Sequence, residues 1–286
     1  MDKVKQYYNA LKPERTYANV MTTAAGFLFA CRWHIDWLLL IYTLLGTTLI
    51  VMSACAANNV IDRKLDAKMP RTKKRATVTG EVSAQKLAFT SIIFGLVGFA
   101  ILAVHVNWLT TLLGAIGYFD YVILYGWTKR TTPLSTLVGT VSGAMPLVAG
   151  YTAVTNSFDF TAILLGLIMV FWQMVHFYSI AIFRQKDYAA GNVPVWSVKY
   201  GVRNTQQWML IFTFVYLLVV LRFIQFEMPG WIFSVVVAGL GLYWSYLGVK
   251  GFKSEKPEKW AKGMFGYSLV NLLVFSIALA LSPLLP

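Results

Sequence analysis

Residues 37–75 read WLLLIYTLLGTTLIVMSACAANNVIDRKLDAKMPRTKKR. An apolar run long enough to cross a bilayer passes without a helix breaker into Asn58, Asp62 and Asp66, spaced by four. In a helix each step of four turns ~40° and climbs ~6 Å, so the three oxygen-bearing side chains line one face of a helix end. Arg71 and Arg75 follow, again four apart. Carboxylates that hold a hard divalent cation thus stand beside guanidiniums that fork onto phosphate, which is chemistry for a magnesium diphosphate. The plain alternative is a solvated basic loop at a membrane face. Such a loop needs positive charge, but it does not need carboxylates in register with an asparagine.

The rest of the chain has the same character. It is 286 residues long, 57% hydrophobic and 13% charged, with a mean hydropathy of +0.60. Long apolar runs alternate with short charged connections, which excludes an ordinary soluble globular protein. The segments fall at 17–33, 37–57, 86–105, 108–127, 135–155, 160–183, 206–226, 230–250 and 264–283. The expected fold is all-α: a polytopic membrane protein of nine transmembrane helices in one domain, around a central cavity open to the cytoplasmic side. With nine crossings, Arg32 and Arg222 are the exceptions among 25 lysines and arginines that otherwise share one side. The positive-inside rule makes that side cytoplasmic, with the N-terminus inside and the C-terminus outside. Topology accounts for the formal charge of +13, so nucleic acid is not needed as a partner. The first segment lacks a small-residue cleavage site, so no signal peptide is expected. Cys31 and Cys55 fall at opposite membrane faces and do not form a disulfide or a metal motif.

Smaller features are distributed along this frame. Residues 1–16 read as an interfacial helix with Tyr7, Tyr8 and Leu11 toward lipid, and Asn19 as an interhelical hydrogen bond. The fourth segment carries Asp120, a carboxylate within a span that calls for a partner. Tyr121, Tyr125 and Lys129 then share one face. Either they form an aromatic belt with a basic anchor or they line a site. The fifth segment has Gly139 and Gly143 at close-packing spacing, with Pro146 to kink it. The sixth carries Gln173, His176 and Ser179 at helical spacing and ends in Arg184, Lys186 and Asp187. The second and sixth segments both end in acids, the fourth and eighth in lysine. This indicates two four-helix halves plus one, with acid-bearing ends facing each other to share metal ions. The active-site connections are then 58–86 and 184–205. Aromatic residues in 206–216 and 231–246 read as interface anchors, and Asn271 as a packing hydrogen bond.

The Asn58, Asp62, Asp66 ladder, with Arg71-Thr72 and Arg75 behind it, resembles the UbiA-type intramembrane prenyltransferases. Lys129 fits that superfamily too. Trp172-Gln173, His176-Phe177 and Arg184 through Asp187-Tyr188 resemble its haem-farnesylating members, over nearly the whole chain from Lys12-Pro13 onward. Many superfamily members have a second pair of acids four apart; here the positions hold Asp187 and Gly191, as the haem-farnesylating members also tend to lack the second acid. The resemblance implies transfer of a farnesyl group from farnesyl diphosphate to a vinyl group of haem b with addition of water, giving haem O and diphosphate. Asn58, Asp62 and Asp66 would hold Mg²⁺, the one cofactor, with Asp187 as a further ligand. Arg71, Arg75 and Lys129 would bind diphosphate, with Arg184 and Lys186 as weaker candidates. Tyr121 or Tyr125 would face the allylic cation, and His176 would ligate the haem iron or hold a propionate. Haem is then a substrate. The setting would be a bacterial-type plasma membrane, with membrane lipid, haem-copper oxidase assembly and haem A synthase as partners.

Two other functions compete. A UbiA-type enzyme acting on an aromatic acid or quinone precursor would share the acid ladder and differ in the acceptor. A secondary transporter of an anion would also carry intramembrane charge, but near the midplane rather than at one end.

Overall fold

The computed structural model describes residues 3–252 and 254–286. Among the described residues there is no strand, and the helices follow the apolar segments closely. They are α1 (Lys3–Ala10), α2 (Pro13–Cys31), α3 (Trp37–Ile61), α4 (Ala84–His105), α5 (Trp108–Thr131), α6 (Ser135–Thr155), α7 (Phe160–Phe183), α8 (Gln185–Ala190), α9 (Trp196–Glu227), α10 (Trp231–Gly251) and α11 (Pro257–Leu281). Single turns at Arg63–Asp66 and Ala76–Thr79 interrupt the loop after α3. Eight helices, α3 to α7 and α9 to α11, are long and apolar enough to cross a membrane. Helix α2 is not among them, because Glu14, Arg15, Asn19 and three threonines dilute its apolar content. The chain is an integral membrane protein, and a ninth crossing rests on α2.

A backbone group in hydrocarbon has no water to bond, so each rod closes its own ladder and its ends are capped. Asp36, Asn107 and Asp159 begin α3, α5 and α7, accepting from Leu39, Thr110 and Ala162 N–H at 3.0, 2.8 and 3.0 Å. These caps gather at the end of the bundle opposite the basic loops. Outward faces carry large apolar side chains such as Phe89, Leu96, Val104 and Trp108, which suits lipid rather than water. Not every aromatic side chain anchors an interface. Trp244 and Tyr216 are fully buried, and the Tyr216 hydroxyl donates to Asn271 Oδ1 at 2.8 Å, so Asn271 is the packing residue expected.

Close approach of α2 and α6 sets the centre. A β-carbon on Gly26 would lie 2.2 Å from the Leu147 carbonyl oxygen, and one on Gly150 2.0 Å from that of Thr23. Helix α3 packs on α4 as α7 packs on α9, in keeping with two related four-helix halves. The glycine pair in α6 is also used for packing. Gly139 admits the Tyr125 ring, and Gly143 admits Gln173, which donates to the Thr140 carbonyl at 3.1 Å. Asn19 is not interhelical, since its amide donates back to Arg15 O at 2.9 Å. Tyr7 and Leu11 do not face lipid either. They pack with Ala10 against Ala56, Val82 and Leu87, and Asn59 donates to Ala10 O at 2.6 Å. Helix α1 is thereby fastened to the end of α3.

Candidate active site

The ladder keeps its helical register through the end of α3. Asn58, Asp62 and Asp66 are 6%, 6% and 3% exposed, so all three are buried. Asn58 Nδ2 donates to Asp62 Oδ2 at 2.9 Å. Behind Asp66 the chain folds back because Thr72 Oγ1 donates to the Asp66 carbonyl at 2.8 Å. That turn brings Arg75 Nη1 to Asp66 Oδ2 at 2.5 Å. Both carboxylates are therefore held by cations: Asp66 by Arg75, and Asp62 by Lys129 and by Arg130, the latter at 2.9 Å.

Helix α5 supplies the opposite wall. Residues Asp120–Leu124 form a π-helical stretch, a widened turn that helices often carry at functional positions. It turns Asp120 toward α6, where its carboxylate accepts the Ser142 backbone N–H at 3.0 Å. Asp120 thus finds its partner in the backbone, four residues before the proline that interrupts the α6 ladder. Beyond it Tyr121 and Tyr125 stack with centroids 5.8 Å apart, and Lys129 Nζ lies 5.3 Å from the Tyr125 ring centre. The two rings thus stand beside Lys129, which pairs with Asp62.

Two cations here carry no signal in the ladder itself. Lys12 Nζ donates to Asn58 Oδ1 at 2.7 Å, and Arg15 Nη1 to the Tyr121 hydroxyl at 2.8 Å. Burial, and then Arg15 nearby, lower the Lys12 ammonium to about 7. Lys12 also adopts a left-handed backbone, φ 54°, which a side chain occupies only when its surroundings hold it there. The docking of α1 onto α3, through Tyr7, Leu11 and Asn59, holds it there. Lys12 and Arg15, read from sequence as topology, thus reach into the site.

Residues after α7 behave differently. Arg184 pairs with Asp187 at 3.6 Å, and Arg184 and Lys186 are exposed. Among the described residues no three acids, histidines or cysteines come together as a metal-binding group. The two loops meet through an apolar contact instead: Met69 packs with Ala181, Val193 and Val195, flanked by Leu65 and Tyr188. Gly191 fits because a β-carbon there would stand 2.8 Å from Met69 Cγ. The position that could have held a second acid has no room for one. Gly191→Asp is expected to push Met69 out and open the loop, so that trypsin cleaves between Lys68 and Arg75 about tenfold faster. An unchanged cleavage rate would count against this contact. Arg71 is exposed and has no ion pair among the described residues, but together with Arg15 it acts on Tyr188, whose phenol burial pushes up.

On α7, Gln173 and Ser179 bond to main-chain carbonyls and are structural. His176 is half-buried against Trp172, Phe177 and Phe265, with Nδ1 2.7 Å from Ser268 Oγ of α11.

Two carboxylates, Asp62 and Asp66, are thus held by Arg75, Lys129 and Arg130, with Lys12 on Asn58 and Arg15 on Tyr121 beside them. This excess of positive charge suits a polyanion. The Asn58, Asp62 and Asp66 oxygens are hard donors, and each of the three side chains accepts from a cationic or amide group. The donor set fits a divalent ion that arrives with its own anion.

The model of the UbiA prenyltransferase family matches residues 19–269. Protoheme IX farnesyltransferase 2 of Pseudomonas putida is 39% identical over 275 residues, covering 96% of this chain and 93% of its own length. The structure of digeranylgeranylglyceryl phosphate synthase superposes with a TM-score of 0.83 at 13% identity, covering 99% of each chain. A UbiA homologue of Archaeoglobus fulgidus bound to GPP and Mg²⁺ superposes with a TM-score of 0.73 at 13% identity, covering 96% of this chain and 99% of its own. At that identity the two structures speak for the fold alone. The family match over most of the chain and the 39% identity reach further: the chain belongs to the UbiA prenyltransferase family, and its sequence lies beside those of the protoheme IX farnesyltransferases.

Proposed function

We propose that the protein transfers the farnesyl group of farnesyl diphosphate to a vinyl group of haem b, with addition of water, to give haem O and diphosphate. The observation that carries the reading is the buried Asn58, Asp62, Asp66 ladder inside a ring of cations, in a chain whose relatives of matching length are protoheme IX farnesyltransferases. The bundle crosses the membrane nine times with α2 first, and the basic end is cytoplasmic.

Arg71, Arg75, Lys129 and Arg130 bind the diphosphate oxygens, with Lys12 and Arg15 closing the site from α2. Asn58, Asp62 and Asp66 hold Mg²⁺, which supplies Lewis-acid neutralisation of the leaving group. The Mg²⁺-bound homologue of A. fulgidus supports a divalent ion in this fold. When the bond from farnesyl C1 to oxygen breaks, its electron pair leaves with diphosphate. Fixed ammonium and guanidinium groups stabilise that charge as it develops, without having to reorganise. The paired rings of Tyr121 and Tyr125 offer a π face to the allylic cation. Vinyl π electrons then form the new C–C bond to C1. The carbon next to the macrocycle, left electron-deficient, takes the oxygen of water, and that water loses a proton.

Lys12→Met tests the contribution of α2. Losing one charge-assisted hydrogen bond of about 1.5–3 kcal/mol raises KM for farnesyl diphosphate by about tenfold or more. Initial rates at varied farnesyl diphosphate measure it, and an unchanged KM would remove Lys12 from the diphosphate site.

The reading as a whole is tested by diphosphate release from detergent-purified protein. Release is expected only when haem b, farnesyl diphosphate and Mg²⁺ are all present. Release that responds to an aromatic acid and ignores haem would keep the ladder and overturn the acceptor.

A further inference from the structure

We propose that Ser268 of α11 holds His176 of α7 in the tautomer protonated at Nδ1, so that Nε2 presents its lone pair to the iron of the porphyrin acceptor. This rests on haem being the acceptor.

The hydrogen bonds fix the tautomer. Ser268 Oγ lies 2.7 Å from His176 Nδ1 and 2.6 Å from the Phe265 carbonyl oxygen. A hydroxyl has one hydrogen, and a carbonyl oxygen can only accept, so the Ser268 proton goes to Phe265. The contact with His176 must then be donated by Nδ1–H. A neutral imidazole carries one N–H, which leaves Nε2 as a bare lone pair. Nε2 has no hydrogen-bond partner among the described residues, and it is not among the enclosed polar atoms that lack one. No carboxylate pairs with the ring among the described residues, so nothing there favours a second proton.

The arrangement is rigid as well as specific. Ser268 is fully buried, and Trp172 Nε1 donates to its backbone carbonyl at 2.9 Å. The same Trp172 stacks on His176, with centroids 4.8 Å apart and an angle of 21°. Phe265 lies 4.9 Å away and Phe177 meets the ring edge at 5.1 Å. Indole, serine and imidazole form a closed set across α7 and α11, and the side chain has one reactive atom left.

That atom separates two roles which the sequence leaves together. A propionate carboxylate needs a donor, and Nε2 in this tautomer cannot donate. Ferric or ferrous iron needs a lone pair, and Nε2 provides one. A histidine that ligates a metal typically donates its other ring N–H to a fixed acceptor, which sets its orientation and its basicity. Ser268 is such an acceptor. It is a positioning residue, and the bond it orients would fix the macrocycle so that one vinyl group, rather than either, meets farnesyl C1.

The test is spectroscopic and needs no turnover. Purified protein is loaded with ferric haem b and read by optical absorption, electron paramagnetic resonance and resonance Raman. The wild-type protein should show nitrogenous axial ligation, with an iron–histidine stretch in the ferrous form. His176→Gly should lose that signature and recover it when imidazole is added. Ser268→Ala should weaken haem binding by about 10- to 100-fold and shift the stretch, whereas Ser268→Thr, which keeps the hydroxyl, should restore both. KM for farnesyl diphosphate should not change in either serine variant. Wild-type haem without an imidazole signature would overturn the proposal, and so would a signature indifferent to Ser268→Ala. If haem is still farnesylated in either case, the transfer reaction stands and only the role of His176 falls; the wild-type spectrum decides even if a variant does not fold.

Discussion

Asp62→Asn lowers the rate of farnesyl transfer about a thousandfold or more while the protein remains folded in its membrane. The magnitude is that of removing a group aimed at charge developing in a transition state, at the upper end of the range for a single donor. Asn keeps the shape of the side chain and can still accept from Asn58 Nδ2, now 2.9 Å away. It removes the charge that organises Lys129 and Arg130 and that would hold a divalent ion. Asp62→Ala should also be inactive, but it leaves a buried ammonium at Lys129 facing no partner, which adds a stability loss of about 3–5 kcal/mol where the charge is retained. The isosteric change is therefore the clean one. Rates under saturating substrates, with thermal unfolding as the control, measure the effect. Near-normal turnover would take Asp62 out of the metal site.

Gly150→Val should lower stability more than any other single glycine change in the bundle centre. A β-carbon at Gly150 would sit 2.0 Å from the Thr23 carbonyl oxygen and 2.9 Å from Phe27 N. Both are backbone atoms, so no rotamer change relieves the clash, and α2 must move away from α6. Overpacking costs about 1–3 kcal/mol even where side chains can adjust, and here they cannot. A fall in Tm of about 10 °C is expected in detergent. Gly239→Ala is the comparison, since nothing lies within 4 Å of its would-be β-carbon. The displacement also carries Lys12 and Arg15 off the site, so activity should fall at temperatures where the variant is still folded. Equal unfolding temperatures for the two variants would contradict the close contact of α2 and α6.

Much of this was legible in the residues. The helix ends fall within a few residues of the apolar segments, except where α9 and α11 continue into polar sequence at Trp196 and Pro257. At α9 the break is Gly201, whose φ of 84° joins an interfacial turn to the membrane rod. The spacing of Asn58, Asp62 and Asp66 was sufficient because helical register is local, and the structure keeps it as a direct hydrogen bond. Contacts between remote segments were not legible. Lys12 reaches Asn58 across 46 residues, and only the docking of Tyr7 and Leu11 onto α3 brings it there. Those two side chains have the spacing of a lipid-facing helix, and spacing alone does not say which apolar surface they cover. Asp187 stands at the end of an apolar helix as Asp62 does, yet its ion pair is the local one with Arg184, and Gly191 packs against Met69.

If the ladder and its cations deliver a farnesyl group to haem, the modified haem can be weighed. The most direct test is mass spectrometry of haem extracted after incubating purified protein with haem b, farnesyl diphosphate and Mg²⁺ in water enriched in ¹⁸O. The predicted product is haem plus one farnesyl group plus one hydroxyl that carries the heavy oxygen, formed only when Mg²⁺ is present. Haem recovered unmodified, with the prenyl group found instead on an added aromatic acid, would contradict it.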